Sequence, residues 1–277
     1  MIDDHPVWDV VVDHLRFPEG LRWRQDTLYF SDVFDRSVHR VRPGQSAEFL
    51  ANVPGRPSGL GFLPDGTLLA VSMRDRSIVT IVNGSIEPYA DLSGLAGGDC
   101  NDMLVDPHGR AYVGNFGYDY AGGEERRAAQ LVLIEPDRGA RIVAENVWFP
   151  NGMILSPDGR TLMLAETSAE RITLFTVDAE GSLSDRRTFE DIPGIRPDGI
   201  ALDSHGAVWV ASPGTAEIVQ FDPNGEIVRR WPAPGGMSQG CALGGSDGNT
   251  LFVACSPTHD ERESEQRLGC ILSTRLS

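Results

Sequence analysis

Residues 150–167 read PNGMILSPDGRTLMLAET, and the fold is decided by how this stretch recurs. A short apolar run is followed by a Ser-Pro-Asp-Gly turn and then by a second run of aliphatic and small residues. Strand, tight turn, strand is the signature of a β-hairpin, because Pro presets φ, Asp bonds back to its own backbone and Gly accepts positive φ. The pattern returns at 21–33 (LRWRQDTLYFSDV), 60–73 (LGFLPDGTLLAVSM) and 103–116 (MLVDPHGRAYVGNF). It continues at 200–213 (IALDSHGAVWVASP) and 241–257 (CALGGSDGNTLFVACSP). A period of about 40–50 residues is that of four-stranded propeller blades.

Two further strands after each hairpin complete a blade. In the third, LVLIEPDRG and ARIVAENV supply them; in the fifth, IVQFDPNGE and IVRRWPA do. The sixth runs out of chain after CILSTRL, with three strands of its own. Residues 7–14 (VWDVVVDH) precede the first hairpin and are expected to close the ring as the outer strand of the sixth blade, removing an exposed seam. No helical period persists. The expectation is an all-β chain, residues 1–277 forming a single domain: a six-bladed β-propeller of four-stranded antiparallel blades.

Composition agrees. Over 277 residues, 40% hydrophobic content is enough for an extensive core, and 31 glycines with 18 prolines suit many short strands and turns. A net charge of −16 speaks against nucleic acid, which needs clustered basic residues. No apolar run approaches the length of a membrane span, and MIDDHPVWDV lacks the features of a signal peptide. Cys100, Cys241, Cys255 and Cys270 show neither CxxC nor zinc spacing and read as reduced, mostly buried thiols. The expected setting is cytoplasmic, with a small-molecule partner, no nucleic acid, no membrane, and a monomer or weak homo-oligomer.

The residue just before each first strand carries the chemistry. The six are Glu19 (PEG), Ser58 (PSG), Asn101 (CND), Asn151 (PNG), Asp198 (PDG) and Gln239 (SQG). Innermost strands of a propeller start at one end of the central channel, so equivalent positions form a ring about the axis. One such residue is an ordinary turn former; six oxygen-bearing side chains in register are a donor set. With two carboxylates, two Asn and no His or Cys, the set selects a hard cation, Ca²⁺ first, with Mg²⁺, Mn²⁺ or Zn²⁺ as alternatives. Two long loops, residues 117–130 and 258–269, are expected over the same end as lids. Tyr118, Asp119, Tyr120 or Glu124 would reach the pocket from the first and His259 from the second.

These residues resemble the SMP-30/gluconolactonase/LRE family of six-bladed propellers over essentially the whole chain. The resemblance rests on PEGLRW, NDMLVDPHGRAYVGN, PNGMILSPDGRTLMLAET and RPDGIALDSHGAVWVA. It implies a metal held by Glu19, Asn151 and Asp198, with Asn101 beside it as ligand or substrate contact, and a hydrolase acting on lactones. In that reading the metal polarises the carbonyl, and either Asp198 or a metal-bound hydroxide activates the attack. Sugar-lactone members often have Arg two residues before the Asn; here stands Asp99, which cannot replace a forked cation. With Trp148 and Phe149 just before Asn151, and the lid tyrosines, a larger or more apolar lactone or ester is expected. Ser58, Asp99, Tyr118, Glu124, Trp148, Phe149 and Gln239 join Asn101 as candidate substrate contacts. Three rivals stand beside this: a phosphotriesterase on the same metal site, a non-catalytic propeller with a structural metal, and a serine hydrolase using Ser238 of the GMSQG motif.

Overall fold

The computed structural model describes residues 6–276. Strand β1 (Asp9–Leu15) precedes the first blade, which is β2 (Pro18–Arg24), β3 (Thr27–Asp32), β4 (Ser37–Val41) and β5 (Glu48–Asn52). The second blade is β6 (Pro57–Phe62), β7 (Leu68–Ser72), β8 (Ser77–Val82) and β9 (Ser85–Asp91). The third is β10 (Cys100–Val105), β11 (Ala111–Asn115), β12 (Ala129–Ile134) and β13 (Ala140–Val147). The fourth is β14 (Pro150–Leu155), β15 (Thr161–Glu166), β16 (Arg171–Val177) and β17 (Leu183–Asp191), and the fifth is β18 (Ile200–Leu202), β19 (Val208–Ser212), β20 (Glu217–Phe221) and β21 (Ile227–Pro232). The last has β22 (Met237–Gly244), β23 (Thr250–Ser256) and β24 (Gly269–Arg275).

Each blade is an antiparallel four-stranded sheet, and in the sixth the order is β1-β24-β23-β22. The N-terminal strand therefore closes the ring, pairing Asp9 with Ser273 and Leu15 with Gly269. The closure is reinforced by Trp8, which meets Trp231 edge-on with centroids 6.4 Å apart. Helical structure among the described residues amounts to two short 3-10 turns, Thr167–Ala169 and Glu263–Gln266.

Burial explains the strand sequences. A blade's middle strands are covered on both faces by neighbouring blades, so β7 (LLAVS) and β19 (VWVAS) are buried at every position and need not alternate. The outer strand β17 (LSDRRTFED) has no buried residue, and its sequence is polar accordingly. The core sits between blades: Leu69, Val71 and Ile78 of the second pack with Cys100, Met103 and Val113 of the third. Burial pushes the Cys100 thiol up to about 12. It is a core side chain rather than a pocket group.

Candidate active site

The inner strands carry the six ring residues to the axis, and they do so from inside the strands. Glu19, Ser58, Asn101 and Asn151 are the second residues of β2, β6, β10 and β14, and Gln239 is the third of β22; only Asp198 precedes its strand. The sequence placed all six one step outside the strands. A β-bulge accounts for the difference: pairing slips across the ring residue in β6, β10, β14 and β22, and just after it in β2. Bulges re-aim side chains at the end of a strand without ending its pairing.

A glycine after most ring residues lets adjacent inner strands touch. A Cβ at Gly20 would lie 2.3 Å from the Ser58 carbonyl oxygen, and one at Gly152 2.6 Å from that of Asp198. That close approach permits bonds between blades, such as Gly152 N to Asp198 O at 3.1 Å and Gly199 N to Gln239 O at 2.9 Å. In the third blade the glycine's place is taken by Asp102. Its Oδ1 accepts from its neighbour Met103 N and from Arg22 Nη2 of the first blade, both at 2.7 Å. This ion pair on the axis was not anticipated, although the missing glycine in the CND triplet was its signal.

Glu19, Asn101, Asn151 and Asp198 converge at the base of a cavity of about 790 Å³. Burial lifts Glu19 to about 7; the Ser58 hydroxyl, donating to Oε2 at 2.7 Å, opposes this and the Asp102 charge adds to it. Asp198 is raised well above the usual carboxylate range by burial, then by the charges of Glu19 and Asp102, against a hydrogen bond from Asn151. Two buried carboxylates repelling each other favour a bound cation, which removes both penalties at once. The amides are anchored for such a role: Asn101 Nδ2 donates to Pro150 O at 3.1 Å and Asn151 Nδ2 to Thr167 Oγ1 at 3.3 Å. No cluster of three or more His, Cys, Asp or Glu placed to hold a metal exists among the described residues. The donor set here is two carboxylates completed by amide oxygens, and it fits a hard cation.

The cavity wall is divided. On one side Phe116 and Phe149 stack with centroids 4.4 Å apart, and Tyr120 meets Phe149 edge-on at 5.8 Å. Tyr118 is buried beside them. Both long loops contribute, the first through Tyr118 and Tyr120, the second through His259, which packs on Phe17 with centroids 5.6 Å apart. Asp99 also lines the cavity, raised by burial against the charges of Arg74, Arg76 and Arg56.

Other expected contacts lie elsewhere. Trp148 points outward and is 39% exposed, because Phe149 adopts φ 56° and turns inward in its place. Glu124 is exposed and serves its own loop, accepting from Asp119 N and pairing with Arg127, each at 2.8 Å. Ser58 is buried behind Glu19 rather than on the wall. Gln239 lies off the wall in the narrow axial channel shared with Arg22 and Asp102, its amide buried without a hydrogen-bond partner. Ser238 is fully buried in β22, donating to Glu217 O at 2.7 Å and accepting from Ser212 N at 3.0 Å. The nucleophile elbow that a GxSxG motif would form needs an exposed turn before a helix, and Ser238 has neither.

Comparison with known proteins agrees with this architecture. The model of the SMP-30/Gluconolactonase/LRE-like region matches residues 17–256. A 6-deoxy-6-sulfogluconolactonase of Pseudomonas putida is 25% identical over 287 residues, covering 100% of this chain and 92% of that protein. A pentonolactonase of Haloferax volcanii is 30% identical over 250 residues, covering 88% and 83%. Among solved structures, the calcium-binding protein regucalcin of Agrobacterium tumefaciens shares the fold with a TM-score of 0.82 at 21% identity, covering 97% of this chain and 93% of its own. By the extent of the family match, this chain belongs to the SMP-30/gluconolactonase/LRE-like family.

Proposed function

We propose that this chain is a lactonase, opening a cyclic ester with water at the base of the axial cavity. The observation that carries the reading is the convergence of Glu19, Asn101, Asn151 and Asp198, two buried acids and two anchored amides, on a cavity large enough for a small lactone. Relatives named as lactonases acting on sugar-derived lactones support the reaction class. Glu19, Asn151 and Asp198, with Asn101 beside them, would hold a divalent cation, and Ca²⁺ suits an all-oxygen set best. Such a cation supplies Lewis-acid polarisation of the ester carbonyl when bound.

The protein groups have distinct tasks. Asp198 orients the attacking water and takes its proton as the new C–O bond forms. It then returns the proton to the ring oxygen as the ester C–O bond breaks, leaving a hydroxy acid. Ser58 keeps Glu19 oriented, and Asn101 contacts the substrate next to the reacting carbon. The Phe116–Phe149 stack lies against the apolar part of the substrate and excludes water from that side.

The test is hydrolysis of a lactone panel, from aldonolactones to alkyl and aromatic lactones, after EDTA treatment and after adding back Ca²⁺, Mg²⁺, Mn²⁺ or Zn²⁺. Chelator-sensitive turnover restored by one of these ions is expected. Turnover indifferent to chelator would sink the metal-assisted reading, and no turnover on any lactone would sink the lactonase reading.

A further inference from the structure

Besides the aromatic stack, arginines from separate loops line the cavity: Arg56, Arg74, Arg126 and Arg196. The chain as a whole carries 40 acidic residues against 24 basic ones, yet the cavity has four arginines facing four acids, Glu19, Asp99, Asp198 and Glu261. With Glu19 and Asp198 committed to a cation, two acids remain against four guanidinium groups, one of which, Arg196, is paired with Glu170 outside the cavity at 3.7 Å. The surplus is concentrated on the second blade. Arg56 is held by Glu261 and lies over the Phe34 ring at 5.2 Å, but its Nε is buried without a hydrogen-bond partner. Arg74, in the turn after β7, has no side-chain hydrogen bond or ion pair among the described residues. The two are close enough for the charge of Arg74 to be felt at Arg56.

We propose that Arg74 and Arg56 form an anion subsite, so that the preferred substrate is a lactone carrying a carboxylate, sulfonate or phosphate group away from the ring. The subsite rests on the lactonase reading for the ring, but its anion preference stands on the arginines. The forked guanidinium of Arg74 supplies two parallel donors to an oxyanion, and the charge of Arg56 beside it adds to the pull. Asp99 feels the charge of both arginines, so its carboxylate tempers the pull of the subsite on an anion.

The experiment uses a matched pair, glucono-1,4-lactone and glucaro-1,4-lactone, which differ by a carboxylate in place of a primary alcohol. The expected kcat/KM favours the carboxylate lactone by about tenfold or more, roughly the value of one charge-assisted contact. The preference falls several-fold in Arg74→Gln, is partly kept in Arg74→Lys, and declines with added salt. Equal or better turnover of the neutral lactone, or a preference unchanged in Arg74→Gln, overturns the proposal. Calorimetric titration of the Ca²⁺-loaded protein with gluconate and glucarate gives a readout independent of turnover. Tighter glucarate binding that is lost in Arg74→Gln supports the subsite even if neither lactone is hydrolysed, and equal binding overturns it. Phosphate- and sulfonate-bearing lactones then rank the anions.

Discussion

Arg22 of the first blade donates Nη2–H to Asp102 of the third at 2.7 Å, linking non-adjacent inner strands across the axis. The same guanidinium holds the Leu21 and Met103 carbonyls. With side chains 25% and 12% exposed, the pair is largely shielded from solvent, so removing one partner strands a charge beside the carboxylates. Arg22→Met or Asp102→Asn alone is expected to cost about 3 kcal/mol, and the double variant clearly less than the sum. Urea denaturation of the four proteins measures this; additive losses would show that the two side chains act independently.

Stability should also depend on pH in a defined direction. Glu19 moves from the ordinary 4.5 to about 7 on folding, and Asp198 shifts the same way. The folded chain then holds protons that the unfolded chain has released, so stability falls as pH rises through that window. For Glu19 the shift corresponds to a loss on the order of 3 kcal/mol in the cation-free protein. In EDTA the melting temperature should drop by several degrees between pH 5 and pH 7.5, at ~2–4 °C per kcal/mol. The decline should be much smaller in Glu19→Gln and be offset by saturating Ca²⁺. A flat profile in EDTA would mean that the acids are already neutralised by protein groups.

The blades and ring positions were legible because both are local. A hairpin announces itself within fifteen residues or so, and each ring residue sits beside a recognisable turn or glycine. The cavity wall was less legible because it depends on how blades rotate about a common axis. Arg56 and Arg196 lie in different inter-blade loops, and no pattern along the chain shows that they face one space. Trp148 and Phe149 show the limit at one-residue resolution. Adjacent aromatics face opposite ways, and a positive φ at Phe149 decides which one enters. Glu124 looked like a pocket acid until its loop closed on it through the Asp119 backbone.

A stability–function trade-off is the third expectation. Asp198 is buried beside two other acids, so in the absence of a cation its charge is a liability. Asp198→Asn should therefore melt higher than the parent in EDTA at pH 7.5, by a few degrees, while losing Ca²⁺-dependent stabilisation and nearly all turnover. Differential scanning calorimetry with and without Ca²⁺, alongside lactone hydrolysis, checks both halves. A variant that melts lower in EDTA would show that Asp198 is satisfied by protein contacts alone.

Ser58 supplies the last expectation. Its hydroxyl donates to Glu19 Oε2 at 2.7 Å, and its own carbonyl accepts from Ser31 Oγ at 2.7 Å, which fixes the strand that presents it. That donation is what holds Glu19 as low as it is against burial. Removing it in Ser58→Ala raises Glu19 further, so at pH 7 a larger fraction is protonated and unable to bind a cation. Ca²⁺ affinity at pH 7 should weaken by roughly three- to tenfold, a shift of about 1 kcal/mol. Because the loss is protonic, it should shrink at pH 9, where Glu19 is ionised in both proteins. Calcium titrations at the two pH values separate this from simple misplacement of Glu19, which would weaken binding equally at both.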